Sequence, residues 1–346
     1  MYISDLLRLF LTDLDPCVSN TALSTMNFTL NLTIPDWMEL LSEYIPLKQH
    51  KSGWTVYRLP NNQYYLDNQT IIKSNKTANH SKIAEFGQDL LLARVNLSLA
   101  LWSPILCEPQ ESTAIIIPYR NREEHLRALL HTLPAFLIHQ NVRFTIFVIE
   151  QMSNTRFNRA LLFNVGFIES KRIGHFDCYI FHDVDLLPAD LRVPYSCGSQ
   201  PVHLAASMDK FGYRLPYRNF VGGVLAMSGE QFAVIGGFSN YYFGWGGEDD
   251  DMFHRIKQHS FSVIRPKMTR YRMIRHGQDK LNERNKENLQ VLTLTQQKAL
   301  DNDGYLQSDY QVLTAGPRYS GLVYWIEVDV HETKLTAQRD SLLKGK

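Results

Sequence analysis

The hydrophobic and polar positions of this chain fall into two regimes. From Thr113 the run Thr-Ala-Ile-Ile-Ile-Pro-Tyr-Arg is short, almost continuously apolar and closed by turn and charge signals. That is the pattern of a strand buried on both faces of a parallel sheet. A helix is expected from Arg122 to about His139, a strand over Arg143–Glu150, a helix over Arg156–Ser170 and a third strand over Cys178–His182. The alternation βαβαβ predicts an α/β fold, a mostly parallel sheet flanked by helices. Glycine-rich turns at Val221–Val224 and Gly244–Gly247 follow, then a helix over about Glu248–Gln258, and Arg275–Gln290 reads as a mobile loop. Residues 1 to about 110 are Asn/Ser/Thr-rich with few sustained periods, so we expect an irregular stem over 1–100 and one regular domain over 101–346.

Composition narrows the picture. With 346 residues and 44% hydrophobic content the chain can bury a large core. Its formal charge of +1 creates no global field for nucleic acid or an anionic membrane surface. No stretch reaches the ~20 apolar residues of a spanning helix. Asn-x-Ser/Thr sequons at Asn27, Asn31, Asn68, Asn75, Asn79 and Asn96, all in the first hundred residues, point to a lumenal, glycosylated segment. Cys17, Cys107, Cys178 and Cys197 are an even set compatible with two disulfides in that compartment.

Chemistry concentrates at the ends of the expected strands, where open α/β sheets bind ligands. Asp183-Val184-Asp185 directly follows the third strand. The strand's period of two puts both carboxylates on one side and Val184 in the core, so two hard oxygens can meet one divalent cation; a solvated turn is the alternative. Arg120, Arg122 and Arg159 are candidates to hold a diphosphate. Met273 and His276 offer a thioether and an imidazole that, with a carboxylate, suit manganese or another first-row metal. Gly244-Trp245-Gly246-Gly247 before Glu248-Asp249-Asp250-Asp251 combines a backbone that can approach a ligand, an indole face for a sugar ring and carboxylates at a helix start. Dipole capping alone would explain those acids but neither Trp245 nor the glycines.

Taken in order, Ile115–Leu126, Phe157–Ala160, Asn164–Phe167, Asp183–Asp185, Met208–Gly212, Gly222–Val224, Gly244–Asp251 and Met273–His276, followed by Asp279, Asn282 and Glu283, resemble the β-1,4-galactosyltransferases. The likeness spans about residues 105–330. It implies a GT-A fold with 101–346 as catalytic domain, and a Mn2+ site of Asp185, Met273 and His276. It implies a UDP-sugar site of Pro118, Tyr119, Arg120, Arg122, Phe157, Arg159, Asp183, Val184 and Trp245. Asp249 matches the catalytic base, with Glu248 beside it; Tyr217, Phe220, Gly246 and Gly247 match the acceptor and donor surroundings, and Leu289 and Leu292 an apolar pocket for an acceptor N-acetyl group. The same resemblance implies disulfides Cys17–Cys107 and Cys178–Cys197, a type II Golgi anchor that this sequence does not display, and partners limited to a UDP-sugar donor and a GlcNAc-terminated glycan.

Two departures bear on specificity. Phe220 stands where galactose-specific relatives have Tyr, which leaves UDP-galactose, UDP-N-acetylgalactosamine and, less favoured, UDP-N-acetylglucosamine open as donors. Phe243 stands where relatives commonly have Trp. The expected activity is an inverting transfer of galactose to the 4-hydroxyl of terminal N-acetylglucosamine. A silent carbohydrate-binding homologue and a metal-dependent phosphohydrolase are the competing classes.

Overall fold

A computed structural model of the chain describes residues 36–38, 40, 44–49, 54–58, 92–105, 107–277, 281–297 and 302–344. Among them the strands are β1 (Ile45–Gln49), β2 (Trp54–Arg58), β3 (Leu92–Asn96), β4 (Leu101–Pro104), β5 (Ser112–Tyr119), β6 (Arg143–Gln151), β7 (Cys178–His182), β8 (Leu186–Pro188), β9 (Val202–His203), β10 (Val224–Ser228), β11 (Tyr271–Met273), β12 (Tyr310–Arg318) and β13 (Val323–Val330). The helices are α1 (Glu123–His139), α2 (Arg159–Ile173), α3 (Gly229–Val234), α4 (Glu248–Gln258), α5 (Glu287–Gln297) and α6 (Glu332–Lys344).

The expected βαβαβ unit is present, with β5 paired in parallel to both β6 and β7 and β13 parallel to the far edge of β6. Among the described strands the other pairs of this sheet are antiparallel. β1 to β4 and β10, β9 and β12 add antiparallel, so the large sheet is mixed, parallel only at its centre. The antiparallel β3 and β4 hydrogen-bond across residue 100, where the stem was expected to give way to the domain. Five of the six sequons lie outside the described residues; Asn96 ends β3.

The apolar runs are continuous because both faces of the central strands are covered. Ile115 and Ile117 of β5, Ile146 and Val148 of β6, and Cys178 and Ile180 of β7 pack on the α1 side. Ala114, Ile116, Phe147, Ile149, Tyr179 and Phe181 alternate with them and face α2 and α4. Burying each of the isoleucines, valines and phenylalanines among them is worth about 1.5–3 kcal/mol. Helix α2 sits so close to the sheet that a Cβ on Gly166 would lie 2.2 Å from Ile116 Cγ2. It starts at Arg159, three residues later than expected, because the Asn158 side chain accepts from Leu161 N at 2.9 Å and so caps it there.

Cys178 and Cys197 form a disulfide, as the resemblance implies. Cys107 is also disulfide-bonded; its expected partner Cys17 lies outside the described residues.

The acidic run at the start of α4 is divided between tasks. Asp251 is fully buried and holds Arg255 Nε at 2.7 Å, while Arg255 also donates to Asp303 at 2.6 Å. That triad fixes α4 to the 303–308 segment and holds the guanidinium firmly protonated. Removing one partner of a buried ion pair typically costs ~3–5 kcal/mol. Asp251→Asn should therefore lower the unfolding free energy by an amount in that range, read as a lower urea midpoint at an unchanged m-value; a loss equal to that of the half-exposed neighbour variant Asp250→Asn would contradict this role.

Candidate active site

The carboxyl ends of β5 and β7 open on one side of the sheet, since their register pairs Thr113 with Cys178 and Ile116 with Phe181. Asp183-Val184-Asp185 lies at that edge. Asp183 N donates to Gly223 O at 3.0 Å, which pins the turn to the start of β10, and Val184 is turned into the core. Behind it, His182 Nδ1 lies 2.8 Å from Asp183 O and Nε2 2.9 Å from the Tyr195 hydroxyl, itself 3.1 Å from the Tyr271 hydroxyl. A carbonyl only accepts, so Nδ1 carries the proton and Nε2 accepts from Tyr195. Burial, which lowers the His182 pKa to about 4, keeps the ring neutral and this chain of bonds directional.

Arg159, the first residue of α2, joins the two acidic clusters. Its Nε is 2.5 Å from Asp183 Oδ1 and its Nη1 is 3.5 Å from Glu248 Oε1, with the guanidinium 4.6 Å over the Phe163 ring. These carboxylates hold Arg159 protonated despite its burial. Burial raises Asp183 to about 6 against the pull of Arg159, with Asp185 and Glu248 adding to the rise. Burial, followed by Glu248, likewise raises Asp249 to about 7, with Arg159 opposing.

The segment carrying the other two expected metal ligands runs beside Asp185 because β11 pairs with β8, setting Met273 opposite Leu186. Ile274 N donates to Asp185 O at 2.8 Å, and His276 Nε2 is 3.4 Å from Asp185 Oδ2. The hydrogen bond to Asp185 raises the His276 pKa. Met273 N is held by Asp209 Oδ1 at 2.9 Å. His125, near the start of α1, stacks edge-to-face on His276 at 5.6 Å, and its buried Nε2 has no hydrogen-bond partner among the described residues. The Asp185 carboxylate and the His276 imidazole meet here, and the β8–β11 pairing brings the backbone of Met273 alongside them, a donor set of a kind that suits a first-row divalent ion.

The other expected donor-site residues divide into those that face the crevice and those that brace it. Pro118 lies in β5 opposite Ile149 of β6, and Tyr119 packs edge-on against Trp325 at 5.2 Å, burial raising its phenol to about 12. Arg122 caps α1 through its carbonyl, which accepts from Leu126 N. Arg120 is buried and donates to Thr155 O at 2.6 Å and Leu281 O at 3.3 Å, above the Phe157 ring. Its guanidinium thus ties two loops together. Phe157 N bonds Leu281 O and its carbonyl accepts from Gly244 N, both at 2.8 Å.

At the other end, Gly244, Gly246 and Gly247 have φ of 73°, 107° and 97°. Such values favour glycine, and they carry the backbone around Trp245, which is 59% exposed. The loop is laced to the segment expected to be mobile. Trp245 N donates to Glu283 O at 3.0 Å, Asn285 Nδ2 to Phe243 O at 2.9 Å and Asn288 Nδ2 to Gly246 O at 2.8 Å. The stretch 281–290 is therefore ordered by side-chain amides and enters α5 at Glu287; Asp279 lies outside the described residues. Leu289 on α5 is exposed and Leu292 half-buried.

Gly222 brings the remaining candidates together. A Cβ there would fall 2.3 Å from Asp249 Oδ2 and 2.8 Å from the Phe220 ring, so the bare backbone is what lets the Asp249 carboxyl and the ring sit side by side. Tyr217 packs 5.5 Å from Phe220 and hydrogen-bonds Asp250, and burial together with Asp249 raises its phenol. Sequence reasoning did not assign roles to Gly222, His125, Asn285, Asn288 or the His182–Tyr195–Tyr271 chain. Only a glycine in a turn carried any local signal.

Residues 60–198 match the model for the N-terminal region of glycosyl transferase group 7, and residues 202–277 the model for the N-terminal domain of galactosyltransferase. The chain is 47% identical over 215 residues to human β-1,4-galactosyltransferase 2, covering 61% of this chain and 58% of that protein. It is 40% identical over 251 residues to rat β-1,4-galactosyltransferase 4, covering 69% and 73%. It thus spans somewhat over half the length of the first of these relatives. The catalytic domain of Drosophila β-1,4-galactosyltransferase 7, solved with xylobiose, superposes with a TM-score of 0.55 at 30% identity over 64% of this chain and 94% of that one. A variant of the same enzyme, with the same overlap, was crystallised with manganese, UDP-galactose and xylobiose. With the fold, the paired acidic clusters and these matches in agreement, the chain belongs to the β-1,4-galactosyltransferase family.

Proposed function

We propose that this chain is an inverting hexosyltransferase that moves galactose from UDP-galactose to the 4-hydroxyl of a terminal N-acetylglucosamine on glycoprotein or glycolipid glycans. Residues 101–346 act as its catalytic domain, in the Golgi lumen, within a type II membrane protein. Among the described residues no helix is long and apolar enough to cross a membrane. The observation that carries the reading is the placement of Asp249: a carboxyl raised to about 7, beside Phe220, and linked through Glu248 and Arg159 to the Asp183–Asp185 turn.

Asp249 Oδ accepts the proton of the acceptor hydroxyl as that oxygen attacks the anomeric carbon. The bond from that carbon to the UDP oxygen breaks on the opposite face, its electron pair leaves with the diphosphate, and configuration inverts. Arg159 provides a fixed cation at the donor end and Glu248 keeps it there. Trp245 offers the sugar an apolar face and Leu289 and Leu292 an apolar wall. Asp185, Met273 and His276 would hold Mn2+, which supplies countercharge to the departing diphosphate when bound.

A base that titrates near 7 gives a definite sign. The Asp249 carboxylate is lost as pH falls through about 7, so kcat/KM should drop close to tenfold per unit below that value. Folding stability moves oppositely, because a carboxyl raised in the folded state takes up a proton between about 4 and 7 and loses that contribution as pH rises through 7. Asp249→Asn should cut transfer by roughly 10²–10⁴-fold while leaving the protein as stable or more stable at pH 8; full activity in this variant, measured as UDP release with manganese and a GlcNAc acceptor, would refute the assignment.

Metal dependence is tested separately. Chelation should abolish UDP release, manganese should restore it better than magnesium, and His276→Ala should raise the manganese concentration needed for half-maximal rate; equal restoration by both ions would count against the thioether–imidazole site.

The donor has a second reading, favoured by the Phe220 ring beside Gly222, where no hydroxyl is available to a 2-hydroxyl or to oppose a 2-N-acetyl group. UDP-N-acetylgalactosamine and UDP-N-acetylglucosamine are its candidates. In a donor panel, Phe220→Tyr should shift preference toward UDP-galactose by roughly tenfold to a hundredfold. An unchanged donor ratio would remove Phe220 from the specificity determinants.

A further inference from the structure

A face built from two segments, 207–220 and 263–273, runs from Asp209 and Met273 at one end to Tyr217 and Phe220 at the other. Its cations Lys210, Arg214, Arg218, Lys267, Arg270 and Arg272 are all exposed, whereas Asp209 is the only acid in either segment, in a chain whose overall charge is +1. The segments are joined by Tyr271 N to Ser207 O at 2.8 Å and by Arg265 Nη2, which donates to Arg218 O at 3.1 Å and Phe220 O at 3.0 Å. Aromatic rings are interleaved with this charge. Phe211 and Tyr213 are 36% and 45% exposed, Lys210 lies over Phe211 at 5.6 Å and Arg270 over Tyr213 at 5.2 Å. Phe211 is 6.2 Å from Phe220, and Phe220 is 5.5 Å from Tyr217, which bonds Asp250, so the rings run from this face to the proposed base.

From this continuity we infer, resting on the transferase reading above, that the face is an acceptor subsite for anionic glycans, which takes a sulfate ester or carboxylate on the sugars that flank the reacting one. Glu248, Asp249 and Asp250 make the reacting position hostile to an anion, and the arginines make the flanking position favourable. Exposed aromatic faces stack on sugar rings, and guanidinium groups between them pair with the substituents. The attraction is exposed to solvent and therefore screened by salt.

The test compares GlcNAc-terminated acceptors whose penultimate sugar is neutral, sulfated or a uronic acid, at low and physiological ionic strength. At low salt the KM for an anionic acceptor should be roughly threefold to tenfold below that for the neutral one, and added salt should shrink the gap. The combined Arg214→Ala, Arg218→Ala and Arg270→Ala variant should lose the preference while its kinetics on the neutral acceptor stay unchanged. A preference for either anion supports the subsite and identifies the group it takes. Equal KM values in the wild type, or a preference that survives the triple variant, overturns it. Charge-dependent sedimentation with phosphatidylserine vesicles without any acceptor preference also overturns it and assigns the face to a membrane. Calorimetric binding of the same acceptors reads the subsite without turnover, so loss of transfer on the neutral acceptor bears on the transferase reading alone.

Discussion

The guanidinium of Arg159 is the constraint on which the rest of the site depends. The Asp183 and Asp249 carboxyls come from segments far apart in the chain, and burial pushes both toward their neutral form. One cation between Asp183 and Glu248 offsets that repulsion and fixes the separation of the two acidic clusters. Its own position is set by the sheet. Gly166 lets α2 lie against Ile116 and Ile149, and the Asn158 cap starts that helix where its first side chain reaches both partners.

The four consecutive acids at the start of α4 illustrate how tertiary structure assigns different chemistry to identical groups. Asp251 points into the core and meets Arg255, Asp250 meets Tyr217, Glu248 meets Arg159, and Asp249 is left beside the bare backbone of Gly222. A helix rotates successive side chains by about 100°, so neighbours in sequence face different surroundings. Enclosure beside Gly222, followed by the charge of Glu248, raises the Asp249 carboxyl to about 7.

Around these charges the backbone is held by amides. Asn285 and Asn288 satisfy carbonyls of the glycine loop, Arg120 satisfies carbonyls of two others, and Phe157 is hydrogen-bonded to both sides. The glycine loop thus has few contacts of its own apart from Trp245, whose indole is exposed while its main chain is fixed. Indole exposure with a tethered main chain suits a loop that meets a ligand.

By itself the sequence determined the central βαβαβ unit, the helix that carries the second acidic cluster, and the placement of Asp183–Asp185 at a strand end, because each has a local signature in apolar periodicity or capping. Resemblance added the pairing of Cys178 with Cys197. Only the tertiary structure decided that β1 to β4 extend the sheet antiparallel, that 281–290 is laced rather than loose, that Arg120 braces loops, and that Arg159 serves both clusters. The meeting of Asp185 with His276 likewise depends on the pairing of β8 with β11. These features arise from hydrogen bonds and charges between residues up to about 160 positions apart, such as Arg120 and Leu281, and contacts at that separation leave no period in the chain for a local pattern to reveal.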